Sequence, residues 1–255
     1  MDKKFKTVKE KIAYLIENKN MLIDMKKSAI KHTDLSKAIA VKPKNFSIKE
    51  VKDNSTVIER TIIGNTYNWL DSHDDVHLKG CFAKSISERA DKIFHLHDHE
   101  FKITSKVGEP SKIYEKEIAW KKLGVDLDGN TESLMMDTNI RKDYNPMVFE
   151  EYKSGKIDQH SVGMYYVKIE LAVNDENEKE EFANWNKYIG NIGNKEKVEE
   201  QGFFWAIKEA KLAEISAVLL GSNELTITLE AEKSLRENEA EKSLRDKLNF
   251  YKQLN

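Results

Sequence analysis

SVGMYYVKIEL, residues 161–171, is the stretch whose reading decides the fold. It is dense in β-branched and aromatic residues and contains no proline, and Lys168 and Glu170 alternate with Val167, Ile169 and Leu171. That alternation predicts a strand, and the length predicts a central one. FFWAI at 203–207 and ISAVLL at 215–220 have the same character. Upstream, Val57 to Ile63 and Lys92 to His97 read as two more strands. Asp128-Gly129 ahead of Leu134-Met135-Met136 predicts a hairpin. Short helices separate these segments. One starts near Cys81 and runs to Ala90. Another opens with Asn145 as cap and Pro146 in the first turn, and Gly155 ends it. The pattern is that of a strand-rich α+β domain.

Residues outside this centre read differently. Phe5, Val8, Ile12, Leu15 and Ile16 recur at helical spacing among Lys and Glu, so residues 1–40 are expected to be helical. Such a stripe needs an apolar partner: its own core, another copy or another protein. Pro43 marks a linker. The tail from Glu230 carries AEKSLR twice, at 231–236 and 240–245, and reads as a solvated helix with i,i+4 charge pairs. The expected division is an N-terminal helical arm at 1–44, a domain at 45–229 with a charged insertion at 173–200, and a helical tail at 230–255.

Composition narrows the functional classes. Lys+Arg number 42 and Asp+Glu 44, a balance that argues against nucleic-acid coating and polybasic membrane binding. The single cysteine, Cys81, excludes an internal disulfide and a Cys-rich zinc module. No apolar run approaches the ~18 residues that span a bilayer. The N-terminus lacks the uninterrupted apolar stretch of a signal peptide. The expectation is a soluble, intracellular protein with no cofactor.

Three places hold groups suited to chemistry. His95, His97 and His99 alternate, so on a strand they would share a face, as a metal site or as one catalytic base among neighbours. Ser161 heads the central strand with Gly163 close behind; a serine there becomes a nucleophile only if a base takes its proton, and most such serines bond local backbone instead. Glu214 precedes an apolar run and is either an ordinary strand-end carboxylate or the group that orients a histidine. Cys81 before Phe82 reads as a small packed residue. Asp126-Leu127-Asp128-Gly129 lacks the later ligands of a calcium loop.

Taken in order from about 57 to 227, these segments resemble the prohead maturation proteases of tailed bacteriophages, serine proteases related in fold to the herpesvirus assemblins. The similar stretches are Asp71 to Phe82, Leu96-His97-Asp98-His99-Glu100 with Val107-Gly108, Ser161-Val162-Gly163-Met164-Tyr165, and Leu212-Ala213-Glu214-Ile215-Ser216-Ala217-Val218. Met164 stands where the family usually has an aromatic residue. The resemblance covers about two thirds of the chain and rests on the order of four motifs. It implies a herpesvirus-protease-like β-barrel core and a serine endopeptidase, with Ser161 as nucleophile, His99 as base and Glu214 as third member. His97-Asp98 is a competing register for the base. It also implies a substrate, the scaffolding segment of the major capsid protein, and a place, the assembling procapsid in the host cytoplasm, with self-cleavage and homo-oligomerisation as possibilities. Two alternatives stand beside it: a non-catalytic capsid-assembly protein on the same fold, and a metal-dependent hydrolase using His95, His97 and His99.

Overall fold

The computed structural model describes residues 5–28 and 54–230. Pro43, the linker around it and the AEKSLR repeats lie outside the described residues.

Two helices open the chain. Thr7 caps α1 (Val8–Glu17) by accepting the Glu10 amide, and Asn18 separates it from α2 (Lys19–Lys27). They do not project as an arm. Leu15 is buried in the main core with Ile12, Ile16, Leu22 and Ile23 packed around it, so the apolar stripe is satisfied within the chain. Its charged flanks are used as well. Lys11 stands 4.3 Å over the Phe203 ring, and Lys19 bonds Glu181 at 2.6 Å. Lys26 reaches the fully buried Asp75 at 2.5 Å.

The rest is one eight-stranded sheet with short helices against it. Its strands are β1 (Val57–Thr66), β2 (Asp75–His77), β3 (Phe94–His97), β4 (Lys106–Ala119), β5 (Asn130–Arg141), β6 (His160–Val173), β7 (Phe203–Ala217) and β8 (Thr228–Glu230). Strand β7 is the spine. It pairs antiparallel with β6 over its whole length, and its other edge takes β2 at one half and β3 at the other, both parallel. From β3 the sheet continues through β4, β5, β1 and β8, all antiparallel.

The sheet does not close into a barrel, because no ladder joins β6 to β1 or β8 among the described residues. It curls instead. Gly64 of β1 leaves room for Ile215 of β7, whose Cδ1 would lie 2.7 Å from an added Cβ. The gap is spanned by hydrogen bonds on either side of the segment before β8, among them His160 N–H to the Thr226 carbonyl and Ile63 N–H to the Ile227 carbonyl, both 3.0 Å.

The core fills the concave face, with Ile62, Met136, Phe149, Tyr152, Val162 and Ile215 within it. Helix α3 (Ala83–Arg89) packs against β7, where the Ser85 hydroxyl receives the Leu212 amide. Helix α4 (Pro146–Lys153) supplies Phe149 and Tyr152, with Asn145 capping the Val148 amide at 3.1 Å. The stretch read as a charged insertion forms α5 (Lys179–Tyr188) and α6 (Lys195–Gln201), and Trp185, Tyr188 and Val198 build a second apolar cluster on Phe204 and Leu70.

Lys26→Ala strips the buried Asp75 carboxylate of its cation and leaves only the Tyr166 hydroxyl at 2.6 Å. Breaking a buried pair in this way costs ~3 kcal/mol or more. The expected outcome in urea denaturation is a lower midpoint with detachment of α1 and α2. An unchanged midpoint would mean that these helices do not contribute to stability.

Candidate active site

The site begins with register. Leu96, Ser216 and Ser161 form one rung across β3, β7 and β6, and Phe94, Glu214 and Gly163 form another two residues along. Side chains alternate across a strand, so Ser161, Glu214 and Ser216 share one face, opposite that of Ile215. Ala213 is an extra residue in β7 between the pairs Gly163–Glu214 and Met164–Leu212. Bulges of this kind re-aim side chains and are common beside functional sites.

His99 arrives from a tight turn. The His97 carbonyl accepts from the Glu100 amide at 3.2 Å, and the two central residues, Asp98 and His99, have φ of +52° and +57°. Two positive φ angles are the mark of a type I′ turn, which Asn, Asp and Gly adopt most readily. A histidine there is strained. The strain is offset by what the turn delivers. The His99 amide donates to Ser216 Oγ at 3.2 Å, and its Nδ1 lies 2.6 Å from Glu214 Oε1. Ser216 in turn donates to Glu214 Oε2 at 2.6 Å.

Both oxygens of a fully buried carboxylate are therefore engaged. A carboxylate only accepts, so Nδ1 carries the proton and Nε2 is the basic atom of the ring. Gly163 makes the arrangement possible, because a Cβ there would fall 2.1 Å from Glu214 Oε1. Ser161 is buried beside this chain, and its Oγ makes no hydrogen bond among the described residues. The ladder brings Ser161 next to Ser216, but no hydrogen bond joins Ser161 to His99.

The other candidates are placed elsewhere, and the three histidines do not converge. His95 is buried on the opposite face, and His97 bonds Asp98 at 2.9 Å at the edge of a groove. The metal-hydrolase expectation built on His95, His97 and His99 is thereby corrected: a strand turn after His97 breaks the alternation that would have aligned them. Among the described residues, convergent ligand atoms occur at Asp71, His73 and Asp75. There Asp75 is already held by Lys26 and Tyr166, and Asp71 accepts the His73 and Asp75 amides. Burial, with Asp75 adding to it, raises the Asp71 carboxyl well above its usual range. Burial likewise pushes the Cys81 thiol well up, which suits packing rather than nucleophilic attack.

Behind the site runs a polar chain that the sequence did not disclose. His160 Nδ1 donates to the Thr226 carbonyl at 3.1 Å, so its Nε2 accepts from Tyr152 Oη at 2.8 Å. The tyrosine oxygen then accepts from His95 Nε2 at 3.1 Å, and His95 Nδ1 accepts from the Thr138 hydroxyl at 3.1 Å. Every ring nitrogen is satisfied with both imidazoles neutral. Burial lowers His95 to about 3 and His160 to about 4. The chain ties β3, β5, α4 and β6 together one residue from Ser161.

In the sequence Ser216 stands out only as part of a motif. The signal that could have singled it out is Glu-x-Ser on a strand, which puts a hydroxyl beside a carboxylate on one face. His160, Tyr152 and Thr138 are too far apart in sequence to be linked by any local pattern. No protein-family model, no curated protein and no solved structure matches the chain.

Two outcomes are expected. Gly163→Ala drives a methyl group into the Glu214 carboxylate, and overpacking of this kind costs ~2 kcal/mol; urea denaturation followed by tryptophan fluorescence reads the loss. The second concerns pH. His95, His160 and His77 (about 4, lowered by burial) all titrate below the ordinary value of 6.5 once folded. As pH falls below 6.5 the unfolded chain takes up protons that the native state refuses. Stability therefore falls from pH 6.5 down to about 4, by up to ~1.4 kcal/mol per pH unit for each histidine. A denaturation midpoint constant from pH 7 to pH 5 would contradict the buried neutral rings.

Proposed function

We propose that the chain is a serine endopeptidase of the prohead-maturation type. In this reading Ser161 is the nucleophile, His99 the general base and Glu214 the orienting carboxylate. The observation that carries it is a buried hydroxyl with no hydrogen bond among the described residues, one cross-strand position from the Ser216–Glu214–His99 chain. The order of the sequence motifs supports it independently. The fold reading that accompanies it is an assemblin-like core in which the strand-rich sheet curls without closing.

The chemistry is acyl transfer. As Ser161 Oγ attacks a peptide carbonyl, His99 Nε2 takes its proton and later gives it to the leaving amine. Glu214 keeps the proton on Nδ1 and stabilises the imidazolium that forms. A water molecule then releases the acyl group by the reverse sequence. Nucleophile–base hydrogen bonds are often long without substrate and tighten when it enters, so Ser161 and His99 close up as the peptide displaces solvent. The substrate is the scaffolding segment of the major capsid protein, within the assembling procapsid. Among the described residues no helix is long and apolar enough to cross a membrane.

Co-expression with the major capsid protein of the same genome, followed by intact mass spectrometry, is the test. The expected result is loss of a defined scaffolding segment. Ser161→Ala and His99→Ala each slow the loss by ~10⁴-fold or more. Cleavage that persists in Ser161→Ala removes the serine mechanism, and no cleavage by the unaltered chain favours a non-catalytic assembly role. If His97→Ala abolishes cleavage and His99→Ala does not, the base is His97.

A further inference from the structure

We infer that a pocket on the Ser161 face of the sheet is a subsite for a large apolar side chain of the peptide substrate, aromatic or leucine, with an acidic residue beside it, an inference that rests on the endopeptidase reading. Ladder register puts the pocket on that face. Leu96 pairs with Ser216 and Ser216 with Ser161, while Phe94 pairs with Glu214. Paired side chains project from the same face of a sheet, so Leu96 and Phe94 stand on the face that carries the serine and the carboxylate. They floor a cavity of about 180 Å³ whose other walls are Phe101, Lys102, Ile103 and Lys106. From Ser161 to Leu96 is two strand spacings, about 10 Å, which an extended peptide covers in about three residues. The wall of the pocket and the base belong to one short segment. Its backbone is tied by the Glu100 amide on the His97 carbonyl at 3.2 Å and the Lys102 amide on the Glu100 carbonyl at 2.8 Å.

The lining selects the occupant. Phe94 is 40% exposed, Phe101 52% and Ile103 90%. Apolar side chains gathered in water around a concavity, rather than scattered singly, are what a binding site presents. The volume suits one ring, since an apolar cavity of about 150 Å³ holds benzene. The charged groups of the lining are both ammonium groups. Lys102 is paired with Glu100 at 3.1 Å. Lys106 Nζ lies 5.6 Å from the centre of the Phe94 ring and pairs with no carboxylate among the described residues. One positive charge therefore stands at the pocket without an opposite charge beside it.

A phenylalanine or leucine side chain that enters over Leu96 removes its own apolar surface and that of Phe94, Phe101 and Ile103 from water. A serine at the same place leaves all of it wet. The neighbouring substrate residue is within reach of the flexible four-carbon stem of Lys106. An aspartate or glutamate there gains an ion pair, whereas a lysine sets ammonium against ammonium and is disfavoured.

The test uses the full chain carrying Ser161→Ala, so that binding is read without turnover. Labelled peptides identical except for a central Phe-Asp, Phe-Lys or Ser-Asp pair are titrated by fluorescence anisotropy. The Phe-Asp peptide is expected to bind about tenfold more tightly than Ser-Asp, the scale of burying one large apolar side chain. It is expected to bind about threefold more tightly than Phe-Lys at low salt, a margin that closes at about 1 M salt because the charge is exposed. The pair Phe101→Ser and Ile103→Ser, both at exposed positions, is expected to abolish the phenylalanine preference with the thermal midpoint unchanged. Lys106→Gln, a separate variant, is expected to abolish the preference for Asp over Lys and to leave that for Phe over Ser. Equal binding of Phe-Asp and Ser-Asp, no binding of any peptide, a phenylalanine preference that survives the paired substitution, or Phe-Lys binding as well as Phe-Asp at low salt overturns the inference. The two readings separate. A Phe-Asp preference in a protein whose unaltered form leaves the capsid protein intact retains the pocket and removes the endopeptidase. Capsid-protein cleavage that runs at the same rate in the Phe101→Ser and Ile103→Ser pair, on a background with Ser161 present, retains the enzyme and removes the subsite.

Discussion

Glu214 is a carboxylate with no exposure to solvent, and most of the geometry around it follows from the need to satisfy it. A buried charge without partners is so unfavourable that it titrates or unfolds the site. Here one oxygen is met by the His99 ring and the other by the Ser216 hydroxyl. Each of these partners is itself constrained. Ser216 can serve because it lies two residues along the same strand. His99 can serve because a turn with two positive φ angles brings its backbone amide onto Ser216. The opposite strand gives way at Gly163, where no side chain fits. The carboxylate thus fixes the identity of a glycine, a serine and a histidine drawn from three separate stretches of chain. The energy that holds the strained turn comes from the same hydrogen bonds that orient the imidazole.

The curl of the sheet has a comparable single origin. Ile215 and Glu214 are neighbours in β7 but face opposite ways. Ile215 reaches across the concavity to β1 at Gly64, where even one methyl group would collide with it. The core face and the site face are therefore locked to each other by one strand. A change in the curvature that moves Ile215 moves the Glu214–Ser216 pair with it. The His95–Tyr152–His160 chain adds polar rigidity on the inner side, one residue away from Ser161. A buried, fully satisfied network of this type specifies one arrangement of the strands it joins, since any slip leaves several polar atoms unpaired.

Much of this was legible in the sequence where the signal was local. The strand at 161–171 and the cap at Asn145-Pro146 each depend on residues a few positions apart, and the structure has β6 and α4 there. Strand β7 was read as two pieces, because Lys208, Glu209 and Lys211 interrupt the apolar pattern; they do so on one uninterrupted strand, where Lys208 and Lys211 are exposed. Strand β4 has no signature in the sequence pattern. Its charges and Pro110 mask a strand with much of its length in solvent. Continuous helix was expected across 1–40, whereas Asn18 divides the described part into two, and those helices find their partner in the domain itself. The site was legible only as candidates. Ser161 and Glu214 stand out as strand-end candidates and the resemblance puts His99 ahead of His97, but no local pattern discloses the turn at Asp98 that carries His99 onto Glu214.

The division of labour between those two histidines follows from that turn. On a continuing strand His97 and His99 would point the same way, and neither position would be distinguished chemically. A type I′ turn reverses the chain within two residues, so His97 is left at the groove and His99 is carried over Glu214. The residue between them, Asp98, serves both sides: its amide closes on the Ala217 carbonyl at 3.0 Å, and its carboxylate bonds the His97 ring. One short segment therefore separates an acidic groove from a site whose carboxylate is fully enclosed. That separation matters physically, because a carboxylate open to the groove would be screened by water and by any bound cation. Enclosed beneath the His99 ring, Glu214 keeps its field on the imidazole.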